Sequence, residues 1–261
     1  MPEEKRLRVF AGPNGSGKST VINFIRHTKV GSRNLDFGVY INADELAKLL
    51  LADGVSLKSY SVDISRAKII KYAVQSGLLI KPFTPKVFNK SFVITRKGFV
   101  VLRNRDYAER FAQLLALVLR EELLLSGKKL SIETVFSHSG KVDFMRRAKE
   151  AGYKVYLYFV ATESPELNKY RVRLRVHQGG HDVPDDKIES RYFRSLELMR
   201  PALEQCYRAY FFDNSVTLGE IQDGYFAQAS QNSRGVEWIR HSERIPNWFT
   251  QCFGDCFEEG K

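Results

Sequence analysis

This 261-residue chain has few cysteines and no long apolar run, and both shortages exclude classes of protein. No apolar stretch approaches the roughly 20 residues that a membrane-spanning helix needs. Residues 1–6 lack the apolar core of a signal peptide. The three cysteines, Cys206, Cys252 and Cys256, form no even disulfide set, and the last two have no further Cys or His nearby at zinc-ligand spacing. We therefore expect a cytoplasmic protein with reduced cysteines, no membrane contact and no structural zinc.

The charge of the chain is unbalanced, with 41 Lys plus Arg against 30 Asp plus Glu and a formal net charge of +11. Such an excess favours polyanionic ligands: nucleotide phosphates, a second phosphorylated substrate, or nucleic acid. The 43% apolar and 27% charged composition is that of an ordinary globular protein. Because no internal repeat or low-complexity linker divides the chain, we expect a single domain over residues 1–261.

Residues 12–19 form a complete phosphate-binding loop motif, Gly-Pro-Asn-Gly-Ser-Gly-Lys-Ser. An apolar run at 7–11 predicts a strand before it, and helical spacing at 20–27 follows it, which is the context that the motif requires. Its glycines let backbone N–H groups turn toward phosphates, Lys18 reaches the transferable phosphate, and the Ser19 hydroxyl is the expected Mg²⁺ ligand. We therefore predict a bound nucleoside triphosphate, held by Gly12, Pro13, Asn14, Gly15, Ser16, Gly17, Lys18, Ser19 and Thr20.

Strands and helices alternate along the chain, which predicts an α/β fold with a five-stranded parallel sheet flanked by helices. The run at 154–161 is apolar at nearly every position, as is typical of a parallel strand covered on both faces. The predicted strands are 7–11, 37–41, 129–133, 154–161 and 209–213. Three further segments are expected to be a β-hairpin insertion (81–106), an arginine-rich lid (165–200) and a C-terminal extension (216–261).

Polar residues follow two of these strands, where ligands bind in open α/β sheets. Asp44 can accept a proton from an attacking hydroxyl or help to hold Mg²⁺, or it can cap the next helix. Glu133 and Thr134 can orient a substrate or a metal-bound water, or they can belong to a polar loop. His138 can act as a general base or be a solvated loop histidine.

Arginines concentrate between residues 171 and 194. Phosphoryl transfer places negative charge on the equatorial oxygens, and arginines of a mobile lid can neutralise it bidentately. A helix starting near Glu166 would put Arg171 and Arg175 one turn apart on one face, although the alternation at 170–177 also fits a strand. A solvated basic face is the alternative interpretation. The arginines are Arg171, Arg173, Arg175, Arg191 and Arg194.

Several motifs together resemble zeta-toxin-like kinases, a family with a P-loop kinase core. The run Arg-Val-x-x-Arg-Val-x-x-Gly-Gly-His-x-Val-Pro at 171–184 is the most specific of them. The resemblance covers roughly residues 7–80 and 127–215. The other matching motifs are Gly-Pro-Asn-Gly-Ser-Gly-Lys-Ser-Thr (12–20), Ile-Asn-Ala-Asp (41–44), Ile-Glu-Thr (132–134), Arg-Tyr-x-Arg-Ser (191–195) and Asp-Asn-Ser (213–215).

The resemblance implies an ATP- and Mg²⁺-dependent kinase that phosphorylates the sugar 3′-hydroxyl of UDP-N-acetylglucosamine or a related small acceptor, and an antitoxin protein as partner. It implies that Asp44 is the catalytic base, and that Lys18 and the lid arginines Arg171, Arg175 and Arg191 stabilise the transferred phosphoryl group. The implied acceptor-binding residues are Asp44, Glu133, Thr134 and His181. The toxins carry an arginine where this chain has His181, so Arg191 is expected to supply the second cationic contact.

Two other functions share features of this sequence with a small-molecule kinase. The insertion at 81–105 interleaves Lys and Arg with Phe83, Phe88, Phe92 and Phe99, a pattern that also fits single-stranded nucleic acid and hence a polynucleotide kinase or nucleic-acid-binding ATPase. The alternative is a hairpin with one buried aromatic face. A transporter-type ATPase shares the loop spelling, but the sequence has no Leu-Ser-Gly-Gly-Gln-like signature and no four apolar residues ending in Asp-Glu.

Overall fold

The computed structural model describes residues 4–30, 32–180, 182–216, 224–233, 235–254 and 256–257. The strands in these ranges are β1 Arg6–Ala11, β2 Lys29–Val30, β3 Arg33–Asn34, β4 Val39–Ile41, β5 Val55–Ser56, β6 Phe92–Ile94, β7 Phe99–Leu102, β8 Leu130–Thr134, β9 Lys154–Ala161, β10 Arg208–Asp213, β11 Tyr225–Asn232 and β12 Gly235–Arg240. The α-helices are α1 Lys18–His27, α2 Ala43–Leu51, α3 Arg66–Gln75, α4 Pro85–Lys90, α5 Ala108–Leu125, α6 Gly140–Glu150, α7 Pro165–His177, α8 Asp185–Glu197, α9 Met199–Leu203 and α10 Asn247–Phe253. Within the described ranges, none of the helices combines the length and apolar character needed to span a bilayer.

The chain divides into two compact units, one made of Met1–Phe37 with Thr134–Lys261 and the other of Gly38–Glu133. In the first unit the strands run in the order β12-β11-β10-β9-β1. Strands β1, β9 and β10 pair in parallel, whereas β11 and β12 join the edge of β10 as antiparallel strands. The predicted parallel strands at 7–11, 154–161 and 209–213 are therefore present, and an antiparallel pair extends them.

Burial on both faces explains why β9 was readable from its sequence. Its last five residues, from Leu157 to Ala161, are all buried, and its neighbour β1 is buried from Leu7 to Ala11. The C-terminal segment packs against β10: the Phe211 ring lies 5.8 Å from that of Trp238 and 5.1 Å from that of Phe249 in α10. Strands β11 and β12 and helix α10 thus enlarge the core of this unit.

The second unit contains the other two predicted parallel strands, since β4 pairs with β8 in parallel and Ile41 lies opposite Ile132. A separate antiparallel sheet runs in the order β5-β7-β6. Helix α5 packs against α2 and α3 through a continuous buried face that includes Phe111, Leu115, Val118 and Leu119. The protein is therefore an α/β fold with a mostly parallel central sheet flanked by helices, as the sequence predicted.

The insertion differs from its predicted form in one respect. Residues 85–90, which lie inside the predicted β-hairpin insertion, form helix α4, because Thr84 caps it through the Val87 N–H and Pro85 occupies its first turn. The aromatic rings of Phe83, Phe88 and Phe92 are fully buried, and Phe88 and Phe92 stack or tilt against Phe111 of α5 at 5.3 and 4.8 Å. A base cannot stack on buried rings, so the interpretation of 81–105 as a stacking surface for nucleic acid is wrong for these three residues.

Candidate functional site

The phosphate-binding loop has a shape that only glycine permits at its two ends. Gly12 has φ +147°, and a Cβ there would lie 2.0 Å from the Val160 carbonyl oxygen of β9. Gly17, the N-cap of α1, has φ +86°, and its Cβ would lie 2.0 Å from Asn214 Nδ2. Both positions combine a positive φ with a close approach. The shape of the loop therefore depends on its packing against β9 and against Asn214, the residue that follows β10.

Lys18 lies across the loop with its ammonium group already oriented. Its Nζ donates to the carbonyl oxygens of Gly12 and Pro13, each at 2.9 Å, and the residue is buried. These bonds span the mouth of the loop and keep the positive charge where β- and γ-phosphates bind in loops of this motif. The geometry therefore suits nucleotide binding without a rearrangement of the Lys18 stem.

The N-terminus of α1 is suited to phosphate because nothing in its first turn neutralises it. Gly17 offers no side-chain cap, and the first turn contains no acidic residue. The partial positive charge of the helix terminus is thus available to an anion. Ser19 and Thr20 are exposed in this turn.

A magnesium site fits Ser19 and phosphate oxygens better than a protein-only cage. Among the described residues, no group of three or more His, Cys, Asp or Glu side chains could hold a metal ion. Mg²⁺ in nucleotide sites commonly takes one or two protein oxygens with phosphate oxygens and waters, and the exposed Ser19 hydroxyl supplies such an oxygen. When bound, the ion would neutralise charge on the β- and γ-phosphate oxygens.

Two of the predicted arginines contact the loop or its neighbour. The segment 170–177 is helical, and from this helix, α7, the Arg171 guanidinium donates to the Asn214 carbonyl oxygen at 2.6 Å. Burial lowers the pKa of Arg171, and the nearby Asp213 opposes that shift. From α8, Arg191 donates to the Asn14 side-chain oxygen at 3.2 Å. Arg191 therefore reaches the phosphate-binding loop directly, whereas Arg171 reaches Asn214, whose side chain bonds the loop.

The other predicted residues of this segment are arranged differently. Arg175 lies one turn beyond Arg171 and is exposed. Arg173 is also exposed and forms an ion pair with Asp185 at the start of α8. His181 lies outside the described residues, and the lid function of 165–200 stays a prediction.

Asp44 is an exposed residue in the first turn of α2, and it is not the cap of that helix. Asn42 is the N-cap: its Oδ1 accepts from the backbone N–H groups of Asp44 at 2.7 Å and Glu45 at 3.2 Å. The interpretation of Asp44 as the helix cap is therefore wrong, because the side-chain amide of Asn42 caps α2. The Asp44 carboxylate is left exposed at a helix N-terminus, where negative charge is stabilised.

Glu133, the penultimate residue of β8, lies in a hydrogen-bonded cluster with Tyr40 of β4 and with Asn42, which follows β4. Its Oε2 accepts from the Tyr40 hydroxyl and from Asn42 Nδ2, both at 2.7 Å. Thr134 Oγ1 accepts from the Phe136 N–H at 3.2 Å, and Phe136 is buried with a φ of +61°. Such a backbone conformation is rare for a bulky residue, and strained conformations cluster at functional sites.

His138 behaves as a loop histidine. Its ring is exposed, and its Nδ1 accepts from the Gly140 N–H at 3.1 Å, at the start of α6. This bond engages one of the two ring nitrogens in local structure, which favours a solvated loop histidine over a general base at His138.

Sequence reasoning did not single out two residues that the geometry brings forward. Asn214 donates from Nδ2 to the Ser16 carbonyl oxygen at 2.9 Å and accepts from Arg171. Tyr40 holds Glu133. Asn214 belongs to the Asp-Asn-Ser motif at 213–215, and this motif was the sequence signal that could have identified it. No sequence pattern distinguishes Tyr40 from other strand tyrosines.

The parallel sheet and the glycine loop with its oriented lysine define an α/β fold of the P-loop kinase type. The zeta toxin family model matches residues 96–212, a stretch that contains Glu133, Thr134 and all the predicted lid arginines. The resemblance read from the motifs is thereby confirmed over this stretch, which makes up somewhat less than half of the chain. The matched stretch begins after the phosphate-binding loop and after Asp44.

Comparison with known proteins supports the fold. An uncharacterised protein of Haemophilus influenzae is 33% identical over 61 residues, which are 23% of this chain and 44% of that protein. The solved complex of AvrRxo1-ORF1 with ORF2 is similar at 14% identity and a TM-score of 0.52, covering 98% of this chain and 66% of that chain. The PezAT toxin-antitoxin system of Streptococcus pneumoniae aligns at 16% identity with a TM-score of 0.46, over 81% and 69% of the two chains. This chain therefore spans less than half of the curated relative that it matches.

Proposed function

We propose that the protein transfers the γ-phosphate of ATP to a hydroxyl of a sugar nucleotide or a related small acceptor. Lys18 and the N-terminus of α1 bind the β- and γ-phosphates, Ser19 holds Mg²⁺, and Arg171 and Arg191 neutralise charge that develops on the transferred group. Asp44 accepts the proton of the attacking hydroxyl. Arg175 and His181 retain their predicted roles in the lid and in acceptor binding.

The observation that carries the proposal is the orientation of Lys18 across the loop. An ammonium held at 2.9 Å from the carbonyls of both Gly12 and Pro13 is ready to meet phosphate oxygens. Asp44 is supported as the base because its carboxylate is exposed and because Asn42, not Asp44, caps α2. The carboxylate of Glu133, fixed on one oxygen by two donors, suits an acceptor-orienting role better than proton transfer.

The test is incubation with Mg·ATP and a panel of sugar nucleotides, nucleosides and oligonucleotides, with UDP-N-acetylglucosamine as the first member, read by mass spectrometry. A gain of one phosphoryl group on a sugar nucleotide is the expected result. Phosphorylated oligonucleotides would instead support a polynucleotide kinase, and release of inorganic phosphate alone would support an ATPase.

The base assignment is tested by Asp44→Ala, with Glu45→Ala as the matched control from the same exposed helical turn. Asp44→Ala should abolish acceptor phosphorylation while leaving the affinity for Mg·ATP nearly unchanged, and Glu45→Ala should retain turnover. Full turnover in Asp44→Ala would remove Asp44 from the mechanism.

The partner proposed from the zeta toxin resemblance is an antitoxin protein. Because a kinase that consumes an essential sugar nucleotide would harm its host, expression of the active protein alone should arrest bacterial growth. The Lys18→Ala variant should relieve that arrest. Equal growth with both proteins would argue against a toxin and hence against the need for an antitoxin.

A further inference from the structure

Both the oxygen and the nitrogen of the Asn42 side-chain amide form hydrogen bonds. Its Oδ1 caps α2 by accepting from the N–H groups of Asp44 and Glu45, and its Nδ2 donates to Glu133 Oε2 at 2.7 Å. A flipped amide would place two N–H donors against the helix N–H groups and an oxygen against a carboxylate, so the network fixes its orientation. One side chain therefore connects the helix turn that carries Asp44 to the carboxylate of Glu133, near the end of β8.

Tyr40 completes the support of the same carboxylate oxygen. Its hydroxyl donates to Glu133 Oε2 at 2.7 Å, and its ring is half-buried in β4. Burial first, and then the negative charge of Glu133, raises the pKa of Tyr40, so the phenol keeps its proton and remains a donor. Oε2 thus receives two strong bonds, and neither of them engages Oε1.

We propose that Tyr40 and Asn42 are positioning residues for acceptor binding, an inference that rests on the proposed function. They hold Glu133 by Oε2 so that Oε1 accepts a hydrogen bond from a hydroxyl of the acceptor. Asn42 further connects that carboxylate to the backbone of Asp44, because its Oδ1 accepts from the Asp44 N–H. The Glu133 carboxylate and the helical turn that carries Asp44 are therefore positioned together before the acceptor arrives.

The location of the cluster supports a role in binding rather than in folding alone. Tyr40, Asn42 and Glu133 lie at the carboxyl ends of the parallel strands β4 and β8, where α/β folds bind ligands. The second unit also contains a tyrosine–glutamate pair away from these strand ends, in which Tyr72 donates to Glu122 at 3.1 Å between α3 and α5. That pair serves as an internal comparison for a structural bond of the same chemistry.

The test compares four single variants in the full chain, with UDP-N-acetylglucosamine, or the acceptor that the panel identifies, as the probe. Tyr40→Phe removes one donor to Glu133, and Asn42→Ser removes the other while keeping an oxygen that can cap α2. The matched controls are Tyr72→Phe and Asn104→Ser; Asn104 caps a short 3-10 helix by accepting from the Asp106 N–H at 2.9 Å. The kcat and KM for acceptor and for Mg·ATP are measured separately, with a melting curve for each variant.

Tyr40→Phe and Asn42→Ser should each lower kcat/KM for the acceptor by about tenfold, the loss expected when a charged group loses one hydrogen-bond donor. The KM for Mg·ATP should stay within about twofold, and the two controls should match the wild type. Asn42→Asp preserves the cap but sets a second carboxylate beside Glu133, so it should lower acceptor kcat/KM further than Asn42→Ser does.

Two results would overturn the inference. One is an acceptor kcat/KM for Tyr40→Phe and Asn42→Ser equal to that of the controls, and the other is an equal loss for acceptor and Mg·ATP that follows the melting temperature. A wild-type protein that phosphorylates no member of the panel would instead overturn the proposed function, and this inference with it.

Discussion

Gly17 lies where the loop meets α1, and two reasons favour glycine there: a positive φ and a close approach to Asn214. Replacement of Gly17 by alanine separates these two reasons. The backbone there has φ +86°, which strains any L-residue, and the added Cβ would lie 2.0 Å from Asn214 Nδ2. Gly152, just past the end of α6, has φ +80° and no atom within 4 Å of its Cβ position. Gly152→Ala therefore measures the backbone strain alone, at almost the same φ.

The magnitudes follow from these contacts. Backbone strain should cost both variants about 1–2 kcal/mol in the free energy of unfolding. In Gly17→Ala the Asn214 amide must also move away from the Ser16 carbonyl, which it now meets at 2.9 Å. Losing that bond and overpacking the site adds about 1–3 kcal/mol. Gly17→Ala should thus be the more destabilising variant by that margin.

The assay is urea denaturation of the two single variants, of Asn214→Ala and of the double variant Gly17→Ala/Asn214→Ala. In the Asn214→Ala background the clash is gone, since Asn214 Cβ lies 4.0 Å from the new methyl group. The cost of Gly17→Ala should then fall to that of Gly152→Ala, a coupling that groups in contact commonly display. Strictly additive costs would refute the close-approach explanation, and so would equal costs for Gly17→Ala and Gly152→Ala.

Three further expectations concern catalysis and pH. Lys18→Ala should abolish phosphoryl transfer to every acceptor, measured by mass shift, because it removes the ammonium that spans the loop. Arg171→Ala should raise the KM for Mg·ATP more than Arg173→Ala does, since Arg171 bonds the Asn214 carbonyl beside the loop whereas Arg173 forms an exposed ion pair; equal effects would contradict this ranking. Burial raises the pKa of Tyr153 from 10.0 to about 12, so its contribution to stability is complete below pH 10 and is lost as the pH rises toward 12. At pH 11 the lost stability amounts to about 1 kcal/mol, and urea melts that give equal stability at neutral pH and at pH 11 would contradict it.

The fold was readable where a local pattern and tertiary burial agree. Strand β9 has the same limits in the sequence prediction and in the structure, because burial on both faces leaves apolar residues along its length. Helix α4 was missed, since six residues are too few for a periodic apolar face, although Thr84 before Pro85 is a helix-start signal. The split into two compact units was not visible, because nothing in the composition changes at 37–38 or at 133–134.

The site was readable only in part, for a similar reason. The loop motif encodes its own geometry, so Lys18 could be assigned from spacing alone. Asn and Asp are both favoured helix N-caps, so the sequence alone does not show whether Asn42 or Asp44 caps α2. The choice depends on where β4 ends. The bond between Tyr40 and Glu133 joins residues 93 apart in sequence, and no local pattern predicts such a contact.

The packing of Asn214 against the loop has a consequence for the order in which the protein becomes active. Ser16 and Asn214 are separated by 198 positions, yet the nucleotide loop gains its final shape only when the two are in contact. During vectorial synthesis Ser16 leaves the ribosome 198 residues before Asn214 does. We expect a nascent chain to remain unable to hold ATP firmly until the segment that carries Asn214 has been synthesised and has packed against the loop.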